Sequence, residues 1–202
     1  MPARPLQQQS WPKPHEVLER TMTDKPNDLL LLAAKVLTII MQAAIALGGV
    51  FILLAIPLML VFQDMINAEI ASEFDAAVGA FPALTVAGTL GLVLGLLALG
   101  FVFFGKLRAI ISTVGDGDPF ADENADRLTL MGWVTIAGQI LLIPISGLAL
   151  MVAKWAEPME NADITIDAGL DIEGILLALI LFILARVFRH GARMRDDLEG
   201  TV

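Results

Sequence analysis

The chain has 202 residues, of which 56% are apolar and only 17% charged, with no Cys, two His and a formal charge of −9. An ordinary soluble domain carries about 25% charged residues, so this composition, with a mean hydropathy of +0.74, excludes a disordered chain, a coiled coil and a typical soluble enzyme. Without Cys there are no disulfides, thiolate metal sites or cysteine catalysis, and the acidic balance argues against nucleic acid as a direct partner.

Residues 1–35 form an N-terminal extension with Arg4, Lys13, Arg20, Lys25 and Lys35. The first apolar block, 36–62, contains no formal charge. A membrane-spanning helix needs about 20 apolar residues at 1.5 Å each, and this block exceeds that. It is also much longer than the apolar region of a cleaved signal, about 7–15 residues, so it reads as a retained helix. The following segment, 63–80, has no Lys or Arg but carries Asp64, Glu69, Glu73 and Asp75.

The second block, 81–104, contains Ala87, Gly88, Gly91 and Gly95. Gly91 and Gly95 form a GxxxG pair of the kind that lets helix backbones approach closely in lipid, and are the candidate packing residues. After it, Leu107, Ile110, Ile111 and Val114 recur at helical spacing, so Lys106–Val114 is expected to continue the helix along the membrane surface. Gly115–Asp118 is turn chemistry. Asp118-Pro119 is suited to cap a helical turn, and Asp122, Glu123 and Asn124 suit the first turn of the next helix. The acids do not make an EF-hand loop, since Ala121 occupies the Gly position and Arg127 the terminal Glu position. No metal or other cofactor is expected.

The third block, 128–153, holds Gly132, Ala137, Gly138, Gly147 and Pro144. Gln42 in the first block and Gln139 here are the strongly polar uncharged side chains deep in the spans, and each should bond across helices. Residues 154–171 again have one base, Lys154, among several acids. The fourth block runs from about 170 to 188, with Asp171 and Glu173 expected at one membrane edge and Arg186 snorkelling to the other. The tail, 189–202, contributes Arg189, Arg193 and Arg195.

The fold class expected is therefore an all-α integral membrane protein with four transmembrane helices and both termini cytoplasmic. The orientation comes from the bases: all of the 13 Lys and Arg except Lys154 fall on one side of such a topology, and the positive-inside rule makes that side cytoplasmic. The outer segments then carry the whole net charge.

The run Thr113-Val114, Gly117-Asp118-Pro119-Phe120, Glu123-Asn124, Arg127-Leu128 and Gly132-Trp133, with Ala185-Arg186-Val187-Phe188-Arg189, Gly191 and the closing Asp197-Leu198-Glu199-Gly200-Thr201-Val202, resembles the domain of unknown function 2975 family. The resemblance covers most of the chain from the first span onward and leaves the Trp11-Pro12-Lys13-Pro14 extension outside. It implies a four-span bacterial membrane protein, and no catalytic residue is carried over. Family members are often encoded beside a small helix-turn-helix regulator, which implies a cytoplasmic DNA-binding partner.

Three functional classes stay open. The first is a non-enzymatic regulator or sensor in the bacterial inner membrane that holds a cytoplasmic regulator through Asp118, Pro119, Phe120, Asn124, Arg127, Arg189 and Arg193. The second is a small oligomeric transporter or channel subunit whose acidic outer segments collect cations. The third, an enzyme, is disfavoured because no nucleophile–base set is evident. The absence of any Asp, Glu, Lys or His at mid-span counts against the second.

Overall fold

The computed structural model describes residues 29–73, 79–159 and 171–199. The extension 1–28, Asp75, the acids Glu160, Asp163 and Asp167, the expected start of the fourth span at 170 and the closing Gly200-Thr201-Val202 lie outside them. The described residues form five helices and no strand: α1 Leu29–Val61, α2 Gln63–Glu73, α3 Ala83–Gly115, α4 Asp122–Ala156 and α5 Ile172–Glu199. α1, α3 and α4 are each long and apolar enough to cross a membrane.

Most of the apolar surface of these helices points outward. α1 has a single buried residue, Thr38, whose hydroxyl bonds the Lys35 carbonyl, while Leu30, Phe51, Leu54 and Val61 are among many exposed apolar residues. A water-soluble monomer rarely exposes contiguous apolar area beyond a few hundred Å². Chains of this kind belong in lipid.

α2 occupies part of what the sequence reads as a plain loop. The Phe62 amide bonds the Leu58 carbonyl and the Ile66 amide bonds Phe62, so helical bonding passes through the bend at Phe62. The Asn67 side chain then accepts a bond from the Phe81 amide at 2.7 Å, tying α2 to the start of α3.

The four longer helices pack as a row: α1 on α3, α3 on α4, α4 on α5. Neighbours run antiparallel, as the contacts Gly49–Leu94, Ile45–Gly100, Gly95–Leu141 and Gly132–Phe182 require. The start of α1, the α3–α4 connection and the end of α5 therefore share one end, the base. This register sets Lys35, Lys106, Arg108, Arg127 and Arg186 at nearly one level there. At the opposite end, the tip, Trp155 meets Phe81 edge-on at 5.4 Å and donates to the Gly79 carbonyl.

Three sequence expectations are corrected. First, α3 runs straight on to Gly115 instead of turning along a surface. Its residues Ile110, Leu107 and Val114 pack with Leu128, Met131, Leu181 and Ala185 in the one buried apolar cluster of the described residues. Second, the GxxxG pair does not act as one face. Gly95 lies against Leu141 and Gly88 against Leu148, whereas nothing approaches Gly91; the α3–α4 contact uses a seven-residue step, which matches the helix repeat of two neighbours crossing at a small angle.

The third concerns α5. Its side chain Asp171 caps it by accepting the Glu173 amide at 3.0 Å, and the Asp171 amide donates to Gln139 Oε1 at 3.2 Å. Gly174 adjoins the Gln139 amide so closely that no Cβ would fit. Gln139 stands about 24 Å short of Trp155 along α4 at 1.5 Å per residue. Asp171 and Glu173, expected at the edge of the membrane, are thus level with the middle of α4, and α5 covers only the base half of its neighbour. Asp118 precedes a turn at Pro119-Phe120, and the residue before α4 is Ala121, which makes no side-chain cap.

Candidate functional site

The most organised polar junction among the described residues is at the base, where the α3–α4 connection meets the end of α5. α3 stops there because Gly117 takes φ = 87°, a conformation that favours glycine. The Asp118 amide then bonds the Thr113 carbonyl and the Gly117 amide the Val114 carbonyl, the paired bonds of a Schellman C-cap. The chain reverses into α4, whose first turn carries Asp122 and Glu123, favourable charges for a helix N-terminus.

Asn124 fixes the shape of this connection. It is completely buried. Its amide nitrogen donates to Thr113 Oγ1 at 2.8 Å and to the Pro119 carbonyl at 3.0 Å. Its oxygen accepts from Arg127 Nη1 at 2.8 Å. One side chain thereby joins the last turn of α3, the turn itself and the first turns of α4. A buried amide left unbonded costs about 1–3 kcal/mol, so this knot exists only if all its partners stay in place.

The end of α5 closes against the turn. Phe120 packs on Phe188 with ring centroids 5.5 Å apart and lies over Gly191, where an added Cβ would come within 2.6 Å of the ring. Arg195 donates to Asp118 and Arg189 to Asp126, both as ion pairs. Ala178, Ala185 and Ala192, spaced by seven, are buried along α5 and let it approach α4 closely.

The structure divides the residues that the sequence groups as one surface. Asp118, Phe120 and Arg195 come together. Pro119 contributes its carbonyl to the Asn124 knot, and Arg127 is spent on Asn124. Asn124 itself is sealed inside and presents nothing to a partner. Arg189 and Arg193 lie away from Arg195 around α5, because steps of six and two residues rotate a helix by about a third and nearly half of a turn. Gly132, Gly174 and Gly191 are each pressed by a side chain of another element; the sequence counts Gly132 among the small residues of its span but assigns Gly174 and Gly191 no packing role. A glycine's need for space is set by its neighbour, which spacing along one helix does not reveal.

Described residues whose regular elements are all helices, three of them of membrane length, tied at one end by a polar loop–tail junction, define the class. Residues 69–202 match the family model described as "Protein of unknown function (DUF2975)", and the chain belongs to that family. The match begins at Glu69, inside α2, so α1 lies outside it, a shorter extent than the resemblance from the first span onward implies. No curated protein and no solved structure matches the chain.

Proposed function

We propose that the chain is a non-enzymatic, multi-pass protein of the bacterial inner membrane, with four membrane-embedded helices and both ends cytoplasmic. Its base presents the α3–α4 turn to a small cytoplasmic DNA-binding regulator. The observation that carries this reading is the turn: Asn124 holds it in one shape, yet Phe120 remains 41% exposed after packing on Phe188. A fixed turn with an uncovered aromatic beside Asp116 and Asp118 is a surface suited to protein recognition. The level of bases at the same end supports the cytoplasmic assignment.

Two experiments test it. Reporter fusions within 105–127 and after Val202 should give cytoplasmic signals, and fusions within 63–80 and 154–168 external ones; a cytoplasmic signal from either of the latter pair overturns the topology. Phe120→Ser should leave the protein in the membrane but abolish recovery of the regulator and its effect on transcription. Truncation after Gly191 is a poorer probe, because it removes buried Ala192 and the Arg195 ion pair.

One observation favours the second reading, a transporter or channel subunit. Asp171 and Glu173 lie beside Gln139, level with the middle of α4, and carboxylates at such depth mark ion pathways in membrane proteins. Cation flux into vesicles containing the purified protein, lost in Glu173→Gln, would replace the regulator reading with this one.

A further inference from the structure

The last turns of α5 sort their charges by side. Phe188, Gly191 and Arg195 face the α3–α4 turn. Arg186, Arg189, His190 and Arg193, at three- and four-residue steps, share the other face. With Thr129 of α4 and Phe182 they line an open cavity of about 490 Å³.

Charge in this cavity is unbalanced. Arg189 is paired with Asp126, whose side chain is 82% exposed. Among the described residues, no acid pairs with Arg186, His190 or Arg193. Like charges a helical turn apart repel, so a cluster of guanidinium groups around a concavity is favoured by an anion between them. Guanidinium forks match the oxygens of a phosphate.

Toward the tip the same face becomes apolar. Phe182 meets Trp133 edge-on at 5.5 Å, and Trp133 is 60% exposed. Arg186 stands at the level of Arg127 and Lys106, Arg189 and Arg193 lie up to two turns further toward the base, and the aromatic pair is one to two turns deeper than Arg186 in the row of helices. A ligand that satisfies both has a phosphate at one end and an apolar tail running toward the tip.

We propose that this cavity binds the headgroup of an anionic phospholipid from the cytoplasmic leaflet, its phosphate held by Arg186, Arg189 and Arg193 and its acyl chain laid over Trp133 and Phe182. The site rests on the membrane topology proposed above. It is separate from the Phe120 surface and occupies the opposite face of α5.

The test uses the full-length protein in mild detergent, equilibrated with phosphatidylglycerol and phosphatidylcholine, with retained lipid counted by native mass spectrometry. Wild type should keep phosphatidylglycerol in preference. Each basic residue near an anionic lipid contributes about a factor of five, so the R186Q/R189Q/R193Q variant should lose preference by roughly a hundredfold. R193E alone, at an exposed position that cannot unfold the row of helices, should lose at least about tenfold, whereas R195Q on the other face should lose none. Equal retention of the two lipids by wild type, unchanged preference in R193E, or displacement of the lipid by inorganic phosphate would overturn the proposal. The last outcome would assign the cavity to a free phosphate compound. Alkaline extraction of membranes separates the two levels: a wild-type protein that leaves the membrane fraction defeats the topology, and one that stays but shows no lipid preference defeats this site alone.

Discussion

At the base, α3, α4 and α5 close around Ile110, Leu128, Met131, Leu181 and Ala185, and a polar side chain is fully enclosed beside them. From the middle of α4 toward the tip only α3 and α4 of these three continue, meeting through contacts such as Gly95 with Leu141 and Gly88 with Leu148, while Ile140, Ile143 and Met151 of α4 face outward. The difference matches two solvents. Lipid tails are as apolar as Leu, so a helix in lipid gains little by hiding Leu and associates through close fit. A helix end in water needs a buried core and satisfied polar groups. The base is built for the second condition and the tip for the first.

The largest effect expected from breaking this contrast is at Asn124. Replacing it with Leu takes their Asn124 bonds from the Pro119 carbonyl and the Arg127 guanidinium and frees the Thr113 hydroxyl to its bond with the Ile110 carbonyl alone; it should cost about 3 kcal/mol, since each buried group left unbonded costs about 1–3 kcal/mol. Thermal melting in detergent should show a large drop. Melting within the error of wild type would mean that the turn is held by something other than the Asn124 knot.

Core truncation comes next. Leu128→Ala at the base opens a cavity at a position only 4% exposed; about 2 kcal/mol is expected, the low end of the range for soluble cores, because part of the transfer term is absent near lipid. Leu54→Ala on α1, where the residue is 65% exposed, should change stability by no more than about 0.5 kcal/mol. Equal losses at the two positions would erase the distinction between base and tip.

A third comparison lies within α3. Gly95→Leu must displace Leu141, already 3.4 Å from the position of an added Cβ, whereas Gly91→Leu meets nothing. Overpacking costs about 1–3 kcal/mol, so Gly95→Leu should lower the melting temperature and Gly91→Leu should leave it unchanged. A shift in oligomer mass caused by Gly91→Leu alone would place a second chain on the Gly91 face.

These pairs also mark where the sequence is informative. The spans of α1, α3 and α4 are legible because a run of apolar residues is a property of one segment, and so is the turn at Gly117. The meeting of the turn with the α5 arginines is partly legible, since both emerge at one end by topology; the pairing of Asp118 with Arg195 follows that logic, and the pairing of Arg189 with Asp126 does not. By sequence Asn124 suits the start of a helix, where it does stand, but its role as a three-way bracket depends on partners in other segments. The depth of α5 was not legible at all. Hydropathy places Asp171 and Glu173 at an edge because charges end an apolar run, but Gln139 and Gly174 together set the start of α5 half-way along α4. Such a register is a relation between two helices.

The smallest expected effect is also the closest test of how the base is held. Asp118 and Arg195 are each a little under half exposed, and Asp126 is far more exposed than its partner Arg189. Exposed ion pairs contribute about 0–1 kcal/mol, because water screens them and ordering two side chains costs entropy. A double-mutant cycle with Asp118→Asn and Arg195→Gln should therefore give a coupling of about 0.5 kcal/mol, and the corresponding cycle for Asp126 and Arg189 less. Raising the salt concentration should reduce both. The contacts of Phe120 with Phe188 and Gly191 do not depend on charge, so the turn should stay docked on α5 when both pairs are removed. If neutralising Asp118 alone releases the turn, seen as a gain in protease cleavage between Gly115 and Ala121, the ion pair carries the junction and the aromatic contact does not.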